Sequence, residues 1–132
     1  MSGDKGLRRA LNVLGPLEGR IMRAVWAGSV PPAFTVRDIQ EVTPELAYTT
    51  LMTTLSRLAE KGILTQHRLS HQRAFEYRPA GTPADFLAAA SREQANRMLE
   101  QYGDAALAAF AAKLDDLPRS QRERLRKAAG RE

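Results

Sequence analysis

Four side chains in the stretch Ala47 to Tyr77 have types and spacing that can do chemistry together. Thr49, Thr50, Thr53 and Arg57 fall on one side of a helix if the stretch AYTTLMTTLSRLAEKG is helical. A threonine offers a methyl and a hydroxyl, and arginine a fork of donors. That combination suits base edges in a major groove and the phosphates beside it. The opposite side carries Leu51, Leu55 and Leu58 at helix spacing, which is a core-facing stripe. Threonine is a modest helix former. Four of them in one short helix, counting Thr54, lower its intrinsic stability without an evident packing reason, and a contact surface supplies one. A solvated face is the plain alternative. Tyr48 can pack inward or reach the backbone of a nucleic acid, and both roles stay open.

The helix should stop near Gly62, a suitable C-cap. Two short β-prone runs follow, Ile63 to Arg68 and Ala74 to Tyr77, around the polar tip LSHQR. This is a basic hairpin. Arg68, Arg73 and Arg78, with His67 and His71, would lie beside the helix on phosphates or in the minor groove. A metal site at the two histidines is not expected. They lie on strand and turn, no cysteine is present, and no carboxylate has supporting spacing. Phe75 and Tyr77 share one face of the second strand and should close the core.

Such a helix and hairpin need supporting helices before them. One is expected over about Pro16 to Trp26, opened by its proline and striped by Leu17, Ile21 and Val25, with Leu14 packing back. Trp26, at its end, reads as a core anchor rather than a stacking platform. The segment AGSVPPAF is a loop. A second helix of about two turns follows, with Thr35 and Asp38 as a capping box and Val36, Ile39 and Val42 as its apolar side. Ala47 has no oxygen with which to cap the next helix, so Thr49 is the candidate. Residues 1–13 read as a flexible arm. Lys5, Arg8 and Arg9 either touch phosphate there or are solvated, solvation being the preferred reading.

The cluster PAGTP, residues 79 to 83, is the expected boundary, giving a winged-helix domain over 14–80 and a helical region over 81–132. Thr82 and Pro83 would open the first helix of that region. Leu87, Met98 and Tyr102 line one face, and beyond Gly103 come Leu107, Phe110, Leu114 and Leu117. These alanine-rich helices are too few to form a globule alone, so a second copy is expected to cover them. Ser120 and Glu123 suggest the cap of a short last helix. The expected fold is therefore mainly α with a small β wing: a winged helix-turn-helix followed by dimerisation helices.

Charge agrees with this division. The chain has 132 residues, a formal charge of +5 and a pI near 10.1. Residues 1–80 hold eleven Lys/Arg against seven Asp/Glu, residues 81–118 three against six, and residues 119–132 six against two. The basic excess over 1–80 coincides with the helix and hairpin and favours an anionic partner. The basic tail is read as a solubility feature. There is no cysteine, no run of eighteen apolar residues and no apolar stretch after the N-terminal charges. Neither a disulfide, a membrane span nor a signal peptide is expected, and the cytoplasm is the expected location.

LGPLEGRIMRAVW, TVRDIQEV, AYTTLMTTLSRLAEKGIL and the following FEYRP together resemble the penicillinase and methicillin-resistance repressor family of bacterial transcription factors. Copper-responsive repressors belong to the same family. The similarity runs from about Leu14 to Leu117, with LAYTTLMT and RLAEKG closest to the actinobacterial branch. The resemblance implies a homodimer that binds an inverted repeat in double-stranded DNA and represses the promoter, with β-lactam resistance or related stress genes as expected targets. It implies operator contacts by Thr49, Thr50 and Thr53 and phosphate contacts by Arg68 and Arg73. The departures are specific. Met52 stands where many relatives have lysine, and Ala47 and Tyr48 replace a Ser-Pro pair. Ala109 and Phe110 stand at the Asn-Phe bond that a sensor protease cuts in staphylococcal members. The cysteines of the copper-sensing branch are missing. An upstream sensor or protease for this chain is therefore left unnamed. Two other classes compete with this reading: a winged helix used only for protein contacts, and an enzyme. No nucleophile, base and orienting group converge in the sequence, so neither catalysis nor a cofactor is expected.

Overall fold

The computed structural model describes residues 2–69 and 74–129. Its elements in order are α1 (Ser2–Val13), α2 (Pro16–Trp26), α3 (Val36–Val42), α4 (Tyr48–Glu60), β1 (Leu64–Arg68), β2 (Phe75–Pro79), α5 (Pro83–Tyr102), α6 (Asp104–Asp116) and α7 (Arg119–Ala129). The fold is mainly α with a two-stranded antiparallel sheet, as expected, and the run α2, α3, α4 and hairpin is that of a winged helix-turn-helix, with α1 added before it. The chain forms two compact units, Met1–Ala90 and Ser91–Glu132.

In the first unit Leu51, Leu55 and Leu58 of α4 are completely buried, together with Ile21 and Met22 of α2, Ile39 of α3 and Phe34. The leucine stripe on α4 thus does what its spacing predicts. On α2 the buried set is Gly19, Ile21, Met22 and Ala24, broader than the Leu17, Ile21, Val25 line. The reason is that α2 packs against three helices, α1, α3 and α4, and so is covered on more than one side.

The stretch expected to be an arm is instead helical. Ala10 is fully buried and Leu11 packs on the core. Leu7, Ala10, Leu11 and Leu14 recur at helix spacing, and this stripe draws the segment onto α2. On α3 the capping box forms: the Thr35 amide donates to Asp38 Oδ2 at 2.9 Å, and the Asp38 amide donates to Thr35 Oγ1 at 3.4 Å. Val36 and Ile39 are buried, but Val42 is exposed, because α3 ends there. Buried Thr43 follows, its hydroxyl donating to the Ile39 carbonyl at 2.8 Å.

After α4 the chain reverses at Gly62, whose φ of +80° lies in the left-handed region that a side chain would resist. The Ile63 amide then closes the turn on the Leu58 carbonyl at 3.0 Å. The strands pair from Leu64 opposite Pro79 to Arg68 opposite Phe75. Phe34 adds an antiparallel bridge to Tyr77, with hydrogen bonds of 2.9 and 2.7 Å, so the proline-rich loop ends as a third edge of the wing. Tyr77 is buried against it, while Phe75 is only half-buried. Trp26 is the expected anchor: its indole N–H donates to the Gly81 carbonyl at 3.0 Å, and its ring lies 5.8 Å from that of Phe86. Phe86 belongs to α5, which is why the first unit continues past residue 80 into that helix.

Pro83 opens α5, and Thr82 caps it. Asp85 Oδ2 accepts from the Thr82 amide at 2.9 Å, and the Asp85 amide donates to Thr82 Oγ1 at 3.1 Å. The Thr82 amide, and after it the Thr82 hydroxyl, hold the Asp85 carboxyl below its ordinary pKa by hydrogen bonding to the charged form. The Arg20 hydrogen bond does the same for Glu45. A depressed folded-state pKa contributes stability that is fully present above the unfolded value and is lost as pH falls through the folded one. Urea midpoints should therefore fall as pH drops through the ordinary carboxylate range and below it, and Asp85→Asn, which removes the titrating group, should make that fall shallower. An equally steep fall in the variant would exclude Asp85 from the acid limb.

The second unit holds the rest of α5 with α6 and α7. Gly103, with φ of +59°, makes the break between α5 and α6. Ser120 lies inside the first turn of α7 rather than capping it, since that helix starts at Arg119. One fixture between α6 and α7 has no signal in the sequence pattern. Arg122 donates from Nε to the Leu117 carbonyl at 3.1 Å and from Nη2 to the Asp115 carbonyl at 3.0 Å, placing a cation on the C-terminal carbonyls of α6.

Candidate nucleic-acid interface

With its leucines turned to the core, α4 presents Tyr48, Thr49, Thr50, Met52, Thr53 and Arg57 to solvent. The predicted contact residues on this helix thus share one exposed side. Thr54 does not belong with them. It is 4% exposed, and its hydroxyl donates to the Thr50 carbonyl at 2.8 Å. That back-bond satisfies the hydroxyl in the interior and supplies the packing reason that the sequence did not reveal. The Thr53 hydroxyl makes the same kind of bond, to the Thr49 carbonyl at 3.0 Å, so its donor is already used. What Thr53 turns outward is a methyl and free lone pairs.

The N-terminus of α4 begins after Ala47, an extended residue with no side-chain hydrogen bond to the helix. Thr49 sits within the first turn and does not cap it. The entry into α4 is fixed from outside instead. Arg20 on α2 is hydrogen-bonded to Glu45 in the turn before the helix. At the other end Lys61 donates to both carboxylate oxygens of Glu18, at 3.0 and 2.8 Å. Two ion pairs from α2 therefore bracket α4. The Arg20–Glu45 pair is exposed on both sides, so its part is orientation more than stability, whereas Glu18 is mostly covered and only Lys61 of its pair is open to solvent.

The wing is tied to α4 from inside. Burial pushes the Tyr77 phenol above its ordinary pKa, and a hydrogen bond with Ser56 of α4 partly opposes the shift. On its outer side Arg68 holds its guanidinium 5.3 Å from the centre of the Phe75 ring, an arrangement that directs a cation by its flat face. Arg78 pairs with Glu76 at 3.4 Å and is the less available arginine. His67 is exposed opposite Glu76. His71 and Arg73, both expected to contact DNA, lie outside the described residues. Among the described residues no three His, Cys, Asp or Glu side chains gather as a metal site would require.

Beside Tyr48 lies an open depression lined by Arg37, Gln40, Glu41 and Pro44, which joins α3 to the same surface. The sequence reading passed over these α3 residues. Arg37 and Glu41 recur four apart on a polar face, and that was the available signal.

In the helical region Tyr102, Leu107, Phe110 and Leu114 are exposed by 46% to 57%, whereas Leu87, Met98 and Leu117 are half-buried. Leu99, at 37%, is a further exposed apolar residue that the sequence reading missed. Among the described residues no helix is long and apolar enough to cross a membrane.

The sequence profile of the penicillinase repressor family matches residues 14–131. Two curated relatives, each called transcriptional regulator BlaI, come from Mycobacterium tuberculosis strains CDC 1551/Oshkosh and ATCC 25618/H37Rv. Each is 42% identical over 72 residues, covering 52% of this chain and 49% of the relative. The chain thus spans about half the length of the curated relatives it matches. Among solved structures, transcriptional regulator PA4135 aligns at a TM-score of 0.46 and 15% identity, over 87% of this chain and 86% of that one.

Proposed function

The chain belongs to the penicillinase repressor family, and from that premise we propose that it is a sequence-specific repressor that binds double-stranded DNA as a homodimer. The observation that carries this reading is the division of α4: three fully buried leucines on one side, and threonines with Arg57 exposed on the other. A helix seated in this way can enter a major groove while the wing follows the flanking backbone. Thr49, Thr50 and Thr53 are assigned to base edges, and Arg57 and Arg68 to phosphates. Tyr48 is assigned to the backbone on the α3 side, with His71 and Arg73 extending the wing contact.

The helical region is assigned to dimerisation through Leu87, Met98, Tyr102, Leu107, Phe110, Leu114 and Leu117. Apolar side chains exposed on one short region are what a second copy would cover. Two recognition helices would then meet two half-sites of an inverted repeat. The domain division follows as proposed, DNA reading before about residue 80 and pairing after it. The regulated genes are those of a repressor family whose name points to β-lactam resistance.

The deciding experiment is fluorescence anisotropy on duplex DNA from the gene's own upstream region, against a scrambled duplex of equal length at near-physiological salt. Tight binding to the native fragment alone is expected, with affinity falling steeply as salt rises. Equal weak binding to both would refute a local operator. In the same assay Arg57→Ala should weaken binding about equally on every duplex and lower the salt slope by about one per half-site. A change confined to one base pair would instead make Arg57 a base reader.

A further inference from the structure

We propose that Met52 reads a thymine methyl in the major groove and thereby sets part of the base preference of α4. The inference rests on the DNA-binding reading above. Met52 is 47% exposed and Tyr48 is 42% exposed, one helical turn apart on the outward side of the helix. They are large apolar groups on a surface otherwise built of hydroxyls and a guanidinium.

Their order around the helix gives each a place. Tyr48 lines the depression shared with Arg37, Gln40, Glu41 and Pro44, so it is turned toward α3. At helix pitch Met52 steps round from Tyr48 toward Thr49 and Thr53, and Arg57 lies beyond those threonines on the far flank. In a helix-turn-helix the helix before the recognition helix crosses the DNA backbone. Tyr48 then falls near the groove edge, and Met52 falls further in, between the edge and the threonine line.

Of the groups a major groove displays, the apolar one is the C5-methyl of thymine. An unbranched thioether can adapt to its position without demanding a fixed rotamer. Thr53 supports the same reading. With its hydroxyl donated to the Thr49 carbonyl, it presents its methyl beside Met52. The centre of this face is thus more apolar than its threonine composition suggests, and it matches a thymine-bearing site.

The test is a methyl-deletion scan. The tightest duplex recovered from a random-sequence pool is synthesised with each thymine in turn replaced by deoxyuridine. Binding of the 132-residue chain and of its Met52→Ala variant is compared by anisotropy. For the wild type, one position per half-site should lose about fourfold in affinity, the worth of one buried methyl. Met52→Ala should bind more weakly and be indifferent to uridine at that position, whereas Met52→Leu should retain the sensitivity. Specific binding with no methyl-sensitive thymine, or equal sensitivity in Met52→Ala, overturns the inference and leaves the repressor reading standing. A change in oligomeric state of free Met52→Ala also overturns it, since Met52 would then be covered by protein. Failure of the wild type to select any sequence overturns both.

Discussion

Phe110→Glu combined with Leu114→Glu should turn the proposed dimer into a monomer in sedimentation velocity, with the far-ultraviolet signature of the winged helix retained and affinity for the proposed operator lowered by at least about a hundredfold. Phe110 and Leu114 are one turn apart on α6, 47% and 46% exposed in the single chain. Burying a leucine or phenylalanine side chain is worth about 1.5–3 kcal/mol. In a symmetric pair each residue is buried twice, so both the apolar gain and its loss are doubled. The substitution does more than delete that gain, because a carboxylate without a partner resists leaving water. None of the completely buried residues of the first unit is touched, which is why its fold should survive. The affinity falls because the second half-site is no longer presented at high effective concentration. A double variant that stays dimeric would move the interface elsewhere, with Leu99 and Tyr102 the next residues to test.

What could be read from the sequence followed the range of each interaction. The leucine stripe of α4, the capping box at Thr35 and the cap at Thr82 are local patterns, spanning less than three turns, and they formed as read. Threonine was ambiguous for a physical reason. Its hydroxyl can be satisfied by the carbonyl one turn earlier, so the buried Thr54 and the exposed Thr53 make the same bond and look alike in sequence. The helix α1 was missed because its stripe is built partly of alanine, a weak hydrophobic signal that becomes decisive only against α2. The α2 ion pairs were beyond reach: Arg20 to Glu45 spans 25 residues and Glu18 to Lys61 spans 43, and no pattern joins charges so far apart. For the candidate interface, the residue types on α4 and the wing were legible. Their supports were not, nor was the stacking of Arg68 on Phe75.

Phe34 gives the clearest example of a residue whose weight is invisible in the chain. It closes a loop of glycine and prolines, yet it is completely buried and its ring stacks at 6.0 Å on Tyr77. Its backbone also forms both hydrogen bonds of the bridge to that tyrosine. Phe34→Ala should therefore cost about 3–5 kcal/mol, the range for truncating a core aromatic. Against a total stability of about 5–15 kcal/mol, that takes a large share of what holds the domain. Urea unfolding should show the midpoint fall with little change in slope, which marks lost stability rather than a changed denatured state. Phe34→Leu, which keeps most of the volume, should lose less than half as much. The effect should reach the proposed DNA-binding surface as well. Tyr77 links the Phe34 bridge to Ser56 on α4, so exchange of the Tyr77 amide should quicken in Phe34→Ala before the amides of Leu55 and Leu58 respond. A loss below about 1 kcal/mol would place Phe34 outside the cooperative core, and the bridge would then be an ornament of the wing rather than its hinge to the recognition helix.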